Sequence, residues 1–91
     1  MTNAWDAAKA VSNLEKHGVA FEAADAFEWE TALFALDARA EYGETRYAAF
    51  SFIGERLYVV VFTIRNGRAW IISLRKANRK EAKHYGKFIE A

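Results

Sequence analysis

The stretch TRYAAFSFIGERLYVVVFTIRNGRAWIISLRK, residues 45–76, decides the fold of this 91-residue chain. It contains three runs of β-branched, aromatic and other apolar residues, separated by the pairs Gly54-Glu55 and Asn66-Gly67. Asn-Gly is the strongest short signal for a hairpin, because both positions of a type I′ turn need positive φ. The sequence therefore predicts consecutive antiparallel strands over residues 45–53, 56–65 and 68–76.

The two turns also predict the register, because a two-residue loop places its flanking residues opposite each other. On this count Arg65 faces Arg68, and Tyr58 faces Arg75. One face of the strands is interpreted as a core to be covered by helices, and it carries Phe50, Phe52, Leu57, Val59, Val61, Trp70, Ile72 and Leu74. The other face ends in hydroxyl groups and a guanidinium, and it carries Tyr47, Ala49, Ser51, Tyr58, Val60, Phe62, Ile71, Ser73 and Arg75. This second face is where we expect the chemistry.

Two helices are predicted ahead of the strands. In WDAAKAVSNLEKHG, residues 5–18, apolar side chains recur at helical spacing between a possible N-cap at Asp6 and a stop at Gly18. The acidic, Ala-rich segment that follows predicts a short second helix from about Phe21 to Phe27.

Further elements are predicted on either side of the hairpins. LFALDAR, residues 33–39, predicts a fourth strand, followed by a turn at Gly43. After the last strand, Asn78 and Glu81 have the spacing of a capping box, so a third helix is predicted from about Arg79 to Phe88.

Length and charge limit the class of protein. The chain has the size of one domain, so we expect a single α+β domain over residues 1–91: an antiparallel sheet of about four strands flanked by two N-terminal helices and one C-terminal helix. Residues 1–44 hold three Lys or Arg and nine Asp or Glu, a net −6, whereas residues 45–91 hold ten and three, a net +7. This asymmetry suggests a basic surface that could attract nucleic acid.

Several classes of protein are excluded by absent residue types. The sequence has no cysteine, which excludes a disulfide framework, a thiolate metal site and a cysteine nucleophile. It shows neither a secretion signal nor an apolar run of membrane-spanning length, so we expect a soluble, cytoplasmic protein that does not associate with membranes.

The ordered landmarks of the chain resemble the BrnT family of toxins, small RelE-like ribonucleases of bacterial type II toxin–antitoxin systems. These landmarks are WDAAKAVSNLEKHGV (5–19), FEWETA (27–32), EYGETRYAAFSFIGERLYVVVFT (41–63) and ISLRKANRKEAKHY (72–85). The most telling pieces are KHGV at 16–19, the Gly-Glu-x-Arg pattern of 43–46, and ISLRKANRKE at 72–81. One departure is that the second helix lacks the Ser and Glu that many relatives place at its start.

The resemblance implies a fold, an activity and a partner. The implied fold is RelE-like, with an antiparallel sheet flanked by helices. The implied activity is cleavage of mRNA without a metal ion or other cofactor. The implied partner is an antitoxin of the ribbon-helix-helix type, which would form a hetero-oligomer with the toxin.

The candidate catalytic residues follow from the groups that RNA cleavage without a metal ion needs. It needs a group that takes the proton from the 2′-hydroxyl, cations that hold the charged phosphorus centre, and an acid for the leaving oxygen. The candidates for the proton steps are His17, Glu44, Tyr58 and Tyr85. His17 ends the first helix, where the helix dipole favours an imidazolium, so capping the helix is an equally good explanation for it. Glu44 is explained at least as well by a salt bridge to Arg46.

Arg75 is the leading candidate for binding phosphate, because its predicted position is opposite Tyr58 and beside Ser73. The alternative is an ion pair with an acidic residue of the first half of the chain. Arg79 is a second candidate, since a cation in the first turn of a helix opposes the dipole and a bound anion would offset this.

The remaining cations are candidates for RNA binding. Lys16 and Arg46 belong to the family motifs, although Arg46 and Arg65 reach the Arg75 site only if a bulge reverses the local facing. The others lie at the end of the last strand and on the third helix, and they are Lys76, Lys80 and Lys83. Lys80, Lys83, His84 and Lys87 form a basic stripe at helical spacing, which is either a solvated face or a docking surface for RNA or an acidic antitoxin.

Two other functions compete with the ribonuclease toxin. One is a non-catalytic, degenerate toxin-like module that binds an antitoxin or nucleic acid. The presence of Arg46, Arg75 and Arg79 favours the enzyme over this module. The other is a metal-dependent nuclease, which is disfavoured because two histidines and no clustered acidic motif offer no ligand spacing.

Overall fold

The chain folds around one five-stranded mixed sheet. The computed structural model describes residues 3–37 and 43–90. In chain order its elements are β1 (Asn3–Trp5), α1 (Ala7–His17), two 3₁₀ helices (Phe21–Ala26 and Trp29–Thr31), β2 (Leu33–Leu36), β3 (Tyr47–Ile53), β4 (Arg56–Arg65), β5 (Arg68–Lys76) and α2 (Arg79–Glu90). The strands lie in the order β1-β5-β4-β3-β2. The α+β class and the four antiparallel strands β2–β5 are confirmed, whereas the fifth strand, β1, runs parallel to β5 and was not predicted.

Both hairpins have the turns that the sequence predicts. Asn66 and Gly67 have φ of 51° and 73°, as a type I′ turn requires, and Arg65 lies opposite Arg68. In the first hairpin Ser51 lies opposite Tyr58, again as predicted. Of the predicted fourth strand and turn, residues 38–42 lie outside the described residues.

The helix ends follow from local chemistry. The carboxylate of Asp6 accepts hydrogen bonds from the backbone N–H groups of Ala8 and Lys9, at 2.8 and 3.3 Å, and α1 ends at Gly18 in the left-handed region, with φ of 70°. The α2 capping box is also confirmed. Asn78 Oδ1 accepts from the N–H of Glu81 at 2.8 Å, and Glu81 Oε1 accepts from the N–H of Asn78 at 2.9 Å.

The predicted second helix is a 3₁₀ helix, Phe21–Ala26, rather than an α-helix. Its side chains Phe21 and Ala24 are both fully buried. A 3₁₀ helix has three residues per turn, so it places residues i and i+3 in line and lets both enter the core. No side chain caps its start at Ala20, so little favours extending the segment as an α-helix.

The predicted register fails at one place on β5. Val61 lies opposite Ser73. The next residue of β4, Phe62, lies opposite Ile71, which leaves Ile72 as the extra residue of a β-bulge. Because side chains alternate between faces, one extra residue moves every following side chain of the strand to the other face.

The bulge corrects the predicted position of Arg75. Arg75 lies opposite Val59, and Lys76, not Arg75, lies opposite Tyr58. Leu74 has changed faces as well, and it is fully buried opposite Val60. The predicted pair of Tyr58 and Arg75 is therefore wrong.

The two faces of the sheet also have roles opposite to those expected. The face expected to carry the chemistry packs under α1 and the 3₁₀ helices and forms the main core. Its buried members are Val19, Phe21, Ala24, Phe27, Ala49, Val60, Phe62, Ala69, Ile71 and Leu74. The face expected to be covered by helices has a smaller buried cluster under α2, made of Leu57, Val59, Val61, Ala77 and Tyr85. We call this second face the open face.

Candidate functional site

A groove of about 230 Å³ lies on the open face, next to the start of α2. We call it the Arg75 groove. Its floor is apolar and comes from the middle strands, while its charged groups come from β5, α2 and the end of β2. The lining residues are Ala35, Leu36, Asp37, Ala48, Phe50, Val59, Val61, Arg75 and Glu81. The β-bulge creates this site, because without the extra residue Arg75 would point into the main core.

The guanidinium of Arg75 is fixed by the carboxylate of Glu81. Arg75 Nη1 donates to Glu81 Oε1 at 2.8 Å, and Nη2 donates to Oε2 at 2.9 Å. This two-point geometry holds the plane of the guanidinium as well as its position. The alternative explanation of Arg75 as an ion-pair residue thus applies to Glu81 of α2, while Asp37, an acidic residue of the first half of the chain, also lines the groove. Both side chains keep partial exposure, 29% for Arg75 and 21% for Glu81.

Glu81 performs two tasks at once. The same carboxylate that binds Arg75 closes the capping box with Asn78. It therefore ties the N-terminus of α2 to β5 and also brings negative charge into the first turn, where the helix dipole favours it. Arg79 and Lys80, in the same turn, are exposed. Arg79 thus lies beside the groove without lining it.

Tyr58 does not belong to this site. Its side chain is half-buried against the main core, on the face opposite to Arg75. The predicted contact between the two residues depended on an unbroken register, so the bulge removes it. Tyr85, the other tyrosine considered, lies on the buried side of α2, and its hydroxyl donates to the carbonyl of Thr31 at 2.9 Å.

The end of α1 is attached to β5 by a buried asparagine. Asn13 Nδ2 donates to the carbonyl of Leu74 at 2.7 Å, and Asn13 Oδ1 accepts from the N–H of Leu74 at 3.1 Å. Nδ2 also donates to the carbonyl of Val19 at 2.9 Å. The amide thus pairs with β5 as a neighbouring strand would, beyond the point where β1 ends. It fixes the last turn of α1 next to the bulge.

This attachment places Lys16 and His17 in a polar cleft of about 170 Å³ between α1 and β5, which also includes Ser12 and Ser73. The pKa of His17 is lowered below its usual value of 6.5, first by partial burial and then by the positive charges of Lys16 and Arg75. Ser73 of this cleft and Arg75 of the groove lie two residues apart on β5. Near neutral pH His17 is mainly uncharged and able to accept a proton.

Glu44 is paired with Arg65 rather than with Arg46, which was the partner suggested by the sequence. Glu44 Oε2 lies 2.9 Å from Arg65 Nη2, and the guanidinium lies 5.1 Å from the centre of the Trp70 ring. The ion pair of Arg65 and Glu44 therefore lies on the open face, at the end next to the Asn66-Gly67 turn. Arg46 directly precedes β3, and by strand alternation it lies on the same face as Ala48 and Phe50. The bulge therefore places Arg46 and Arg75 on the same face. This is the condition under which Arg46 was predicted to reach the Arg75 site.

The lysines of α2 form an exposed basic rim. Lys80, Lys83, His84 and Lys87 line a shallow pocket of about 230 Å³ on the outer side of the helix. Lys76, at the end of β5, is also exposed. The rim begins at Lys80, directly beside Glu81, so it adjoins the Arg75 groove, whose own charged residues are Arg75, Asp37 and Glu81.

The described residues contain neither a metal-binding cluster nor a membrane-spanning helix. Within residues 3–37 and 43–90, no group of three or more His, Asp or Glu side chains is arranged to hold a metal ion. The helices of this same part of the chain are too short or too polar to cross a membrane.

Sequence reasoning missed two residues of the site, Asn13 and Asp37, and gave Glu81 only its capping role. Asn13 left no signal, because helical spacing makes Val11 and Leu14 the expected inward side chains, whereas the structure leaves both exposed and buries Asn13. Asp37 gave none, since an acidic residue after a short strand is common in turns. The second role of Glu81 depends on which face Arg75 occupies.

One comparison with known proteins identifies a family. A family model described as "Ribonuclease toxin, BrnT, of type II toxin-antitoxin system" matches residues 5–81. This range includes every candidate site residue named above except Lys83, His84, Tyr85 and Lys87. No curated protein matches the chain.

Proposed function

Because the chain belongs to the BrnT family of ribonuclease toxins of type II toxin–antitoxin systems, we propose that it cleaves mRNA internally without a metal ion. We further propose that an antitoxin of the ribbon-helix-helix type neutralises it in a hetero-oligomeric complex. Such a substrate would place its action in the cytoplasm.

One observation carries the proposal: a guanidinium fixed in an open groove, two residues along β5 from the cleft that holds His17. Arg75 is held at two points by Glu81, and its charge reaches His17. A cation that is already oriented stabilises developing negative charge without reorganising during the reaction. A neutral imidazole is able to take a proton near neutral pH. Together these two groups supply the cation and the base that metal-free RNA cleavage needs.

The proposed reaction is an internal displacement at phosphorus. His17 takes the proton of the 2′-hydroxyl, and the 2′-oxygen forms a bond to phosphorus while the bond from phosphorus to the 5′-oxygen breaks. The products are a 2′,3′-cyclic phosphate and a 5′-hydroxyl end. The leaving 5′-oxygen then receives a proton from His17, which holds one after the first step, or from Lys16. Both residues line the cleft between α1 and β5.

The other predicted residues have supporting roles in this proposal. Arg75 and Arg79 hold the phosphate, helped by the N-terminal end of α2. Lys16, Arg46, Lys76, Lys80 and Lys83 attract and guide the RNA strand. Glu44 acts through its pair with Arg65, which shapes the hairpin end of the open face. Tyr58 has no part in the reaction, because it lies on the other face.

A second candidate function has a specific observation in its favour. The pair of Arg75 and Glu81 also anchors α2 to the sheet, so Arg75 has a structural explanation that needs no RNA. If anchoring is its whole role, the chain is a non-catalytic toxin-like module that binds an antitoxin or nucleic acid.

The proposal is tested by RNA cleavage in EDTA. The purified protein is incubated with a single-stranded RNA oligonucleotide in the presence of EDTA, and the ends of the products are identified. We expect cleavage with 2′,3′-cyclic phosphate ends, because the charge at phosphorus is balanced by side chains. A loss of cleavage on chelation that Mg²⁺ restores would overturn the metal-free mechanism.

Contaminating ribonucleases are also active in EDTA, so a matched control is essential. The variant His17→Ala, prepared in parallel by the same protocol, should show at most a small fraction of the cleavage. Equal cleavage by both preparations would mean that the activity does not come from His17. An inactive wild-type protein would favour the non-catalytic module.

A further inference from the structure

A further cavity, of about 220 Å³, opens between α2 and the edge of the sheet. We call it the α2 cavity. It is lined by Leu33, Phe50, Lys80, Glu81, His84 and Tyr85. Two of these residues, Phe50 and Glu81, also line the Arg75 groove, so the cavity and the groove are continuous along the open face.

The floor of the α2 cavity is apolar and fixed. Leu33 and Phe50 are opposite each other on β2 and β3. The ring of Tyr85 is held by its hydrogen bond to Thr31 at 2.9 Å and by an edge-on contact with Phe52, whose ring centre is 5.7 Å away. A floor of this kind is preorganised for a flat apolar group, because it does not need to reorganise when the group binds.

The rim of the α2 cavity is polar and mainly basic. Lys80 and His84 supply hydrogen-bond donors, and Glu81 supplies an acceptor. On its outer side the rim continues into the pocket of Lys83 and Lys87. A ligand that enters here therefore meets positive charge outside and apolar surface inside.

We propose that the α2 cavity receives one nucleobase of the bound RNA, next to the phosphate held at Arg75, and thereby contributes to the choice of cleavage site. This inference rests on the proposed ribonuclease function. Bases of single-stranded RNA turn outward, stack on aromatic side chains and form hydrogen bonds through their edges. The cavity offers the aromatic ring of Phe50, donors and an acceptor at its rim, and lysines for the neighbouring phosphates. Its continuity with the Arg75 groove places this base beside the reacting phosphate.

The proposal is tested by binding, using RNA that the protein is unable to cut. A 2′-O-methyl oligoribonucleotide carries a fluorescent label and a single abasic site, which is moved through every position in turn. Fluorescence anisotropy then gives the dissociation constant for each position. For the wild-type protein we expect one position at which the missing base weakens binding by roughly tenfold, the size of one lost stacking contact.

Two variants and a control locate this base. Leu33→Trp fills the α2 cavity, and Phe50→Leu removes one of its two aromatic rings, leaving that of Tyr85, while keeping apolar volume. For each of these variants, the dissociation constant should be about the same for the intact oligonucleotide and for the abasic one. The control, Phe34→Trp, changes the next residue of β2, which lies on the other face and stacks on Trp29. It should keep the wild-type dependence on the missing base, and thermal melting of each variant shows that it is folded.

Each result has a definite meaning. The proposal is overturned if no position matters for the wild-type protein, or if Leu33→Trp and Phe50→Leu keep the wild-type dependence. It is also overturned if these two variants bind RNA normally but no longer bind the antitoxin, because the occupant is then a protein segment. Cleavage of the unmodified oligonucleotide is measured alongside. Position-dependent binding without any cleavage would remove the proposed ribonuclease function and leave the base site in place.

Discussion

The side chain of Arg75 has two possible tasks, since the carboxylate that orients it for phosphate also joins it to α2. Arg75→Lys separates them, because lysine keeps the charge but loses the two-point geometry. We expect RNA cleavage to fall by about 2–4 kcal/mol in transition-state stabilisation. We expect the free energy of unfolding to fall by only about 1 kcal/mol, since the pair is partly exposed and lysine is still able to bond Glu81. Cleavage kinetics and urea denaturation of the same preparation measure the two effects.

Arg68→Lys is the matched control for this change. Arg68 begins the same strand and is exposed at the turn, so neither quantity should change much. Full activity in Arg75→Lys would show that Arg75 does not hold the phosphate. A protein that is unfolded after this single change would instead assign Arg75 to the structure.

The lowered pKa of His17 predicts the pH dependence of both activity and stability. In the proposed mechanism its neutral form is the base, so kcat/KM should fall as the pH drops through a pKa that lies below 6.5. In stability the same shift favours the native state above the unfolded pKa of 6.5. This contribution is lost as the pH falls from there through the lower native pKa. Lys16→Gln should move the midpoint of the activity profile upward, because it removes a charge that opposes protonation of His17.

The control for the pH profile is Lys87→Gln, which removes a charge far along α2 and should leave the midpoint unchanged. A midpoint that is the same in wild type and in Lys16→Gln would mean that another group titrates.

At the scale of elements, the attachment of α1 to β5 depends on one amide. Asn13→Ala would leave the N–H and carbonyl of Leu74 and the carbonyl of Val19 without their hydrogen-bond partner. Because this region is buried, we expect the free energy of unfolding to drop by about 2–4 kcal/mol. Ser12→Ala, an exposed change one residue earlier in the same helix, should stay within about 0.5 kcal/mol of wild type. Urea denaturation of both variants tests this, and equal stability of the two would contradict the role given to Asn13.

The elements also show how far sequence reasoning reaches in this protein. Turns, caps and strand periods are local, so the Asn66-Gly67 turn, the Asp6 cap and the Asn78 capping box were all predictable. The β-bulge was not, because nothing in the apolar run around Ile72 indicates which residue is the extra one. The extra residue, Ile72, places Leu74 on the face of the main core and Arg75 on the open face, which is the reverse of the predicted arrangement. Local patterns therefore suggest candidate cations, whereas the neighbours of Arg75 depend on a bulge that only the structure reveals.

At the scale of the whole molecule, an open face with basic groups and an apolar floor is expected to bind a partner. We expect a tight complex with a small antitoxin that contributes acidic and apolar residues to this face. Co-expression with the neighbouring gene product, followed by co-purification, tests this. The double change Lys80→Glu and Lys83→Glu should weaken the complex, while Arg56→Glu, at the turn between β3 and β4, should not. A protein that stays monomeric beside that gene product would speak against the expected partner.

The parallel strand at the start of the chain has a consequence for the order of events during translation. β1 pairs with Ala69, Trp70 and Ile71 of β5. This pairing therefore forms only after β5 has been synthesised. The clamp of Asn13 on Leu74 and the pair of Arg75 with Glu81 need residues that are made later still. A chain interrupted before residue 69 therefore lacks both the partner of β1 and every part of the Arg75 groove contributed by β5 and α2. Under the proposed function, a nascent chain of this architecture therefore acquires its complete site only when synthesis has passed β5 and reached α2.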